Sequence, residues 1–386
     1  MERKVYLDSA ATTYVTNEVL NEMMPCYNIF FGNPNSIHSF GREAQGIVDR
    51  ARDRIAKTIN AKSEEIYFTS GGTEADNWAI KGIAHAYANK GKHIITSQIE
   101  HPAVMESCRA LEKEGFEVTY LPVDKYGVVS LAALLHAIRK DTILISIMAV
   151  NNEVGTIQNI KAIGKTAREN GILFHTDAVQ AYGALKLDVE DMCIDLMSFS
   201  SHKIYGPKGI GALYIRKGVR IANLLDGGHQ ERSKRGGTSN VPAIAGFGKA
   251  AEINARDLMI NNQRMKSLRD YFIKQVTEKI PYVIVNGHPQ QKVNSIVSIS
   301  FELIEGEAIL LMLDFEGIAV STGSACTSGA LEKSHVLSAM GIDDEIANGT
   351  IRFSFSRSTT KADLDYTVEK LVDVVEKLRK ISPQTK

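Results

Sequence analysis

The sequence predicts an α/β protein: a large domain around a mainly parallel, seven-stranded sheet, with a smaller α+β domain at the C-terminal end. Three observations predict it. Between Glu65 and Arg216 seven short β-rich runs recur, EIYFTS, HIITS, EVTYLPV, TILISIMAV, ILFHTD, IDLMSFS and ALYIR. Stretches with helical spacing lie between several of them, and strands separated by helices of roughly 10–15 residues form a parallel sheet with helices on both faces. The runs are apolar almost throughout, as strands buried on both sides are.

Along the chain, residues 1–15 are expected as an N-terminal arm, 16–255 as the large domain and 256–386 as the small one. The stretch ATTYVTNEVLNEMMPCY reads as the first helix, and TEADNWAIKGIAHAYANK, AVMESCRALEKEG and IKAIGKTAREN as helices between strands. After Arg216 a Gly-rich, charged loop, DGGHQERSKRGGTSNVP, precedes a long helical pattern from about Ala243 to Lys279 that links the two domains. Strands follow near VIVNG, NSIVSISFE and IRFSFS, with helices at EAILLMLDF and from Lys361 to about Ile381. Leu364, Val368, Leu371, Val375 and Leu378 share one face of the last helix. Thr360 and Asp363 have the spacing of a capping box at its start.

Composition narrows the function classes. A chain of 386 residues has room for both cores. Lys+Arg equals Asp+Glu at 45 each, so no net charge favours nucleic acid or a membrane surface. The start, MERKVYLDSAATT, lacks the apolar run of a signal peptide, and ILISIMAV is far too short to span a bilayer. Cys26, Cys108, Cys193 and Cys326 are scattered, without zinc-site or disulfide-framework spacing; a reducing compartment, the cytoplasm, is expected.

Four motifs carry chemistry, each with a plainer alternative. In TSGGTEADN a strand meets a Gly pair and a helix start. The N–H groups of Gly72 and Thr73 with the Thr73 hydroxyl can hold an anion there, or the motif is a tight turn with a Thr cap. It is not a dinucleotide G-x-G-x-x-G. In IEHPAVMES, His101 precedes a Pro in a helix's first turn, a place for a structural His or for an imidazole stacked on a planar cofactor. HTDAVQ ends an apolar strand with Asp177, a metal pair with His175 or a partner for a protonated pyridine nitrogen. SFSSHKIYGPKGIG sets Lys203 among Ser, His, Gly and Pro, as a solvated turn lysine or as a nucleophile that must give up its proton. All four fall where strands end, which is where open α/β sheets bind ligands. An anion cradle, a stacking partner, a carboxylate and a framed lysine are together what pyridoxal 5′-phosphate (PLP) requires.

Eleven motifs in order, YLDSAATT, GNPNSIHSFG, SGGTEADN, EHPAV, NNEVGTIQ, HTDAVQ, SHKIYGPKGIG, GGHQER, GGTSNVP, GSACTSG and IRFSFSR, span nearly the whole chain. With them the sequence resembles the cysteine desulfurases of the NifS/IscS type, within the fold-type I PLP enzymes. The resemblance implies that Lys203 holds the cofactor as a Schiff base and shuttles protons, and that Asp177 pairs with the pyridinium N–H. Gln180 would hydrogen-bond the ring hydroxyl, and His101 would stack on the ring and serve acid/base steps. Thr73, Ser200 and His202 would bind the phosphate, joined by the partner subunit's Thr238. Asn152, at the cofactor, and Arg352 would hold the substrate carboxylate, which a guanidinium fork matches bidentately. Cys326, in a polar, Gly-flanked stretch unsuited to a buried thiol, would be the nucleophile; Cys26, Cys108 and Cys193 read as structural.

The implied activity converts L-cysteine to L-alanine in a homodimer, through a persulfide on Cys326, with sulfur passing to an iron–sulfur cluster scaffold or another acceptor. The long segment after Cys326 fits the NifS/IscS branch, and the ending LRKISPQTK together with GGHQER places the chain nearer NifS. Three other activities fit parts of the pattern. An aminotransferase would need a keto acid and no Cys326, a selenocysteine lyase would prefer selenocysteine, and a silent assembly partner would carry no cofactor.

Overall fold

The computed structural model describes residues 3–322 and 333–382. In chain order its strands are β1 (Val5–Tyr6), β2 (Ile66–Thr69), β3 (His93–Ser97), β4 (Glu117–Leu121), β5 (Thr142–Ser146), β6 (Leu173–Asp177), β7 (Leu196–Ser200) and β8 (Gly211–Ile215), then β9 (Val283–Val285), β10 (Ile296–Phe301), β11 (Ile318–Ala319), β12 (Ser321–Thr322) and β13 (Thr350–Ser354). The seven expected strands, β2 to β8, form one sheet in the order β2-β8-β7-β6-β5-β3-β4. All run parallel except β8, which is antiparallel to both neighbours.

Successive side chains on a strand point to opposite faces, and here both faces are covered. Ile95, Ile145, Met197 and Ala212 enter one apolar core, while Ile94, Leu144, Leu196 and Leu213 enter another on the far side. This two-sided burial is why the runs lack alternation.

Among the helices that escape the sequence reading are Ser39–Thr58 and Leu131–Ala137, besides the short Gln230–Ser233, His335–Ala339 and Asp344–Asn348. The first buries Ala44, Ile47, Val48, Ala51 and Ile55 at helical spacing, against the helix Val241–Lys279. The two backbones come so close at Gly248 that a Cβ there would lie 2.5 Å from Ala51 Cα. The expected first helix is also shorter, beginning at Asn17 and re-forming at Pro25. Thr12, Thr13, Val15 and Thr16 are β-branched and poor helix formers; Asp8 bridges Ser354, residues 9–11 turn, with Ala11 N–H bonding back to the Asp8 carbonyl at 3.1 Å, and Thr13 N–H bonds the His202 carbonyl at 3.0 Å.

The long linking helix spans Val241–Lys279 and belongs to two cores, with Ile244 and Phe247 in the first and Met265, Phe272 and Val276 in that of the C-terminal part. That second core also takes Val5 and Leu7, brought in by the parallel pairing of β1 with β11. Its sheet is antiparallel, in the order β12-β13-β10-β9. The helix Lys361–Ile381 covers it and opens with the expected capping box, Thr360 N–H to Asp363 Oδ2 at 2.9 Å and Asp363 N–H to Thr360 Oγ1 at 3.2 Å. Among the described residues no helix is long and apolar enough to cross a membrane.

Candidate active site

Strands β2, β3, β5, β6 and β7 point the same way, so the loops after them meet along one edge of the sheet. A cavity of about 220 Å³ opens there. Each expected site residue except Cys326 and Thr238 lines it: Gly72 and Thr73 after β2, His101 after β3, Asn152 after β5, Asp177 and Gln180 at and after β6, Ser200, His202 and Lys203 at and after β7, and Arg352 on β13. Cys326 lies outside the described residues. Thr238 lines a separate cavity of about 180 Å³ with Thr69, Ser70 and Gly209.

Lys203 ends a single 3-10 turn, Ser201–Lys203, that leaves β7. Its Nζ donates to the carbonyls of Ala10 and, at 2.9 Å, Ala11. Gln180 Nε2 donates to the same Ala10 carbonyl at 2.9 Å. The arm's backbone therefore holds two of the site's side chains, a role that no side-chain motif could signal.

Asp177 is buried, and its Oδ1 accepts from Val179 N–H at 2.8 Å. Burial pushes its carboxyl up, opposed by His101 and Lys203. Asp76, which the sequence reading missed although it lies in the SGGTEADN motif, shares the cavity lining. It is buried, its Oδ1 makes no hydrogen bond among the described residues, with His175 Nε2 3.7 Å away, and burial together with Asp177 pushes it well up. A site that crowds two buried carboxyl groups calls for a positive or proton-donating guest. His175, the other half of the possible metal pair, is spoken for: Ser146 Oγ lies 2.8 Å from its Nδ1 and Ser198 Oγ 2.9 Å from its Nε2, and burial lowers it to about 3.

His101 caps its helix, Nδ1 accepting from Ala103 N–H at 3.1 Å. Burial holds its imidazole below the ordinary value, against the pull of Asp177. His202 is lowered to about 4 by burial and by Lys203 and Lys208, so it is a neutral hydrogen-bonding group. The helix Gly72–Tyr87 starts at the cavity, and the first N–H groups of a helix have no partner within it. A Cβ on Gly72 would lie 2.7 Å from Val179 Cγ2, so the cradle admits only glycine without movement. Cradle, buried carboxylate, imidazole and lysine on one cavity fit PLP: Gly72, Thr73, Ser200 and His202 would hold its phosphate, Asp177 its ring nitrogen and Lys203 its aldehyde.

At the other wall Arg352 is buried. Its Nη1 donates to the Asn152 carbonyl at 2.9 Å and its Nη2 to Asp8 Oδ1 at 3.0 Å. Cys26 and Cys108 are buried, and burial pushes the Cys108 thiol up to about 12, which leaves it unreactive. Cys193 is partly exposed.

Residues 5–367 match the class-V aminotransferase family. A cysteine desulfurase IscS of Dictyoglomus turgidum is 54% identical over 383 residues, 99% of this chain and 97% of that protein. A solved NifS-like protein superposes with a TM-score of 0.92 at 39% identity, covering 97% of this chain and all (100%) of that one. A solved SspA in complex with cysteine gives 0.82 at 38% identity over 91% of this chain and 99% of its own. Both names of the NifS/IscS pair thus occur among the relatives. The chain belongs to the class-V aminotransferase family and, within it, to the PLP-dependent cysteine desulfurases.

Proposed function

We propose that this chain takes the sulfur from L-cysteine, leaves it as a persulfide on Cys326 and releases L-alanine. The observation that carries this reading is the single cavity that joins Lys203, Asp177 and His101 to a buried arginine, Arg352, suited to an amino-acid carboxylate. Bound there, PLP supplies an aldehyde for the substrate's amino group and a protonated ring that draws electrons from its Cα. Arg352 and Asn152 hold the carboxylate and so orient the substrate. Asp177 keeps the proton on the ring nitrogen. Lys203 Nζ would take and return the Cα proton, and His101, on the same cavity, would stack on the ring and serve the remaining proton transfers. The Cys326 thiolate attacks the substrate sulfur: the S–S bond forms, the substrate's C–S bond breaks, and its electron pair returns to carbon, where protonation completes the methyl group of alanine. Incubation with L-cysteine and a thiol reductant tests this directly, with sulfide and alanine expected in equal amounts and no keto acid required. Alanine formed only when a keto acid is supplied would instead mark an aminotransferase.

We further propose a homodimer in the cytoplasm that passes sulfur to an iron–sulfur scaffold or another thiol acceptor. An exposed apolar set, Tyr27, Phe31, Ile37 and Phe40, supports self-association, since monomers seldom leave such patches open. Thr238, lining its own cavity away from Lys203, is then free to serve the partner's site. Sedimentation should give twice the chain mass, and a monomer at micromolar concentration contradicts the dimer.

Two substitutions probe the site's walls. Asp177→Ala should lower both PLP content and turnover by about a hundredfold or more, because the ring nitrogen loses the partner that keeps it protonated. Spectroscopic titration with PLP measures the first effect and the sulfide assay the second. Arg352→Ala should raise the KM for L-cysteine about ten- to hundredfold, the worth of a charge-assisted pair, while PLP content stays near that of wild type. Equal losses of PLP and substrate affinity would assign Arg352 to folding instead.

A further inference from the structure

Arg352 leaves a donor unused. The residue is 3% exposed, both terminal nitrogens are engaged, and Nε is buried with no hydrogen-bond partner among the described residues. A buried guanidinium has to be paired, and Asp8, 344 positions away along the chain, is the carboxylate that pairs with it. Asp8 comes from a stiff piece of backbone. Leu7 N–H bonds the Ala319 carbonyl at 2.8 Å, Ser354 N–H bonds the Leu7 carbonyl at 2.7 Å, and the Asp8 carbonyl accepts from Tyr6 Oη at 3.0 Å and from Ala11 N–H at 3.1 Å. The nearby Glu153 does not compete for this role. It is buried and accepts from Ser334 Oγ, and burial pushes it up to about 7 although Arg352 pulls it down.

A guanidinium carries five N–H groups in a planar fork, and a carboxylate docks on two adjacent, parallel ones. With one hydrogen of Nη1 held by the Asn152 carbonyl and one of Nη2 by Asp8, Nε–H remains unengaged by any described residue, and with the other Nη2 hydrogen it can form an edge for a guest. We propose that Asp8 is a positioning residue that clamps Arg352 so that this edge is presented to the α-carboxylate of the amino-acid substrate. The inference rests on the reading of Arg352 as the carboxylate site. It makes Asp8 a determinant of selectivity for amino acids over simple amines.

The test uses two small ligands on the PLP-loaded protein, read by the change in cofactor absorbance rather than by turnover. L-Alanine carries the carboxylate without sulfur, and cysteamine carries the amine and thiol without a carboxylate. Asp8→Ala should weaken L-alanine about tenfold or more while cysteamine stays within about twofold, because only the former uses the clamped edge. Asp8→Glu, which displaces the carboxylate by one methylene, should show the same selective loss and decides the matter if the Ala variant does not fold. L-Alanine binding at wild-type strength in either variant, or equal weakening of both ligands, overturns the clamp and leaves Asp8 as packing for the arm. A wild-type protein with no preference for the ligand bearing a carboxylate overturns the assignment of Arg352 as well.

Discussion

Cys326→Ser is expected to give a protein that keeps its cofactor and its colour but produces no sulfide. Serine preserves the size of the side chain and removes the thiolate, the nucleophile suited to attack on sulfur. The groups proposed to hold the cofactor and the substrate carboxylate, Lys203, Asp177 and Arg352, are unchanged, so the absorbance should still respond to added L-cysteine. Intact-protein mass spectrometry should find an added mass of about 32 Da per sulfur on the wild type after a brief exposure to L-cysteine, and none on the variant. Sustained sulfide and alanine from the Ser variant would overturn the persulfide route and leave a lyase without an enzyme-bound sulfur.

Lys203→Ala removes the other indispensable group. Turnover is expected to fall to background and the visible absorbance of the lysine-bound cofactor to disappear. PLP should still associate more weakly, through the cradle at Gly72 and Thr73 and through Asp177. A second effect follows from the geometry: the Ala11 carbonyl loses the donor that now binds it, while the Ala10 carbonyl keeps only Gln180 Nε2. Losing a hydrogen bond costs about 1 kcal/mol, so the variant should also melt at a slightly lower temperature than a PLP-free wild type. Near wild-type desulfuration would show that another amine does the work.

The sheet and most of the pocket could be read from the sequence because they rest on local patterns. Strands buried on both faces must be apolar throughout, and the groups that touch a cofactor sit at the ends of those strands. The helix Ser39–Thr58 was not legible for the opposite reason. Its buried stripe is rich in alanine, Ala44, Ala51 and Ala56, and eight charged residues among its twenty mask the period. Asp76 sat in plain view within a motif, yet only folding shows that it shares a floor with Asp177. Asp8 sits in YLDSAATT, but nothing local marks a residue whose partner lies on a strand far along the chain. The carbonyls of Ala10 and Ala11 are more hidden still, since backbone atoms leave no trace in residue identity. Cys326 rests on sequence reasoning throughout.

The arm imposes an order on biosynthesis. Residues 5–13 leave the ribosome first, yet Val5 pairs with Ile318, Asp8 with Arg352, and the Ala10 carbonyl with Lys203. The central sheet closes once Ile215 has been made, whereas the arm cannot be seated until Ser354 has emerged. Domains fold as units during synthesis, and contacts distant in sequence form last. A nascent chain halted between these points would therefore hold the phosphate cradle and Lys203 without the backbone that steadies the lysine. A chain terminated before Ser354 is therefore expected to form the sheet yet to lack the Leu7–Ser354 and Asp8–Arg352 contacts that seat the arm.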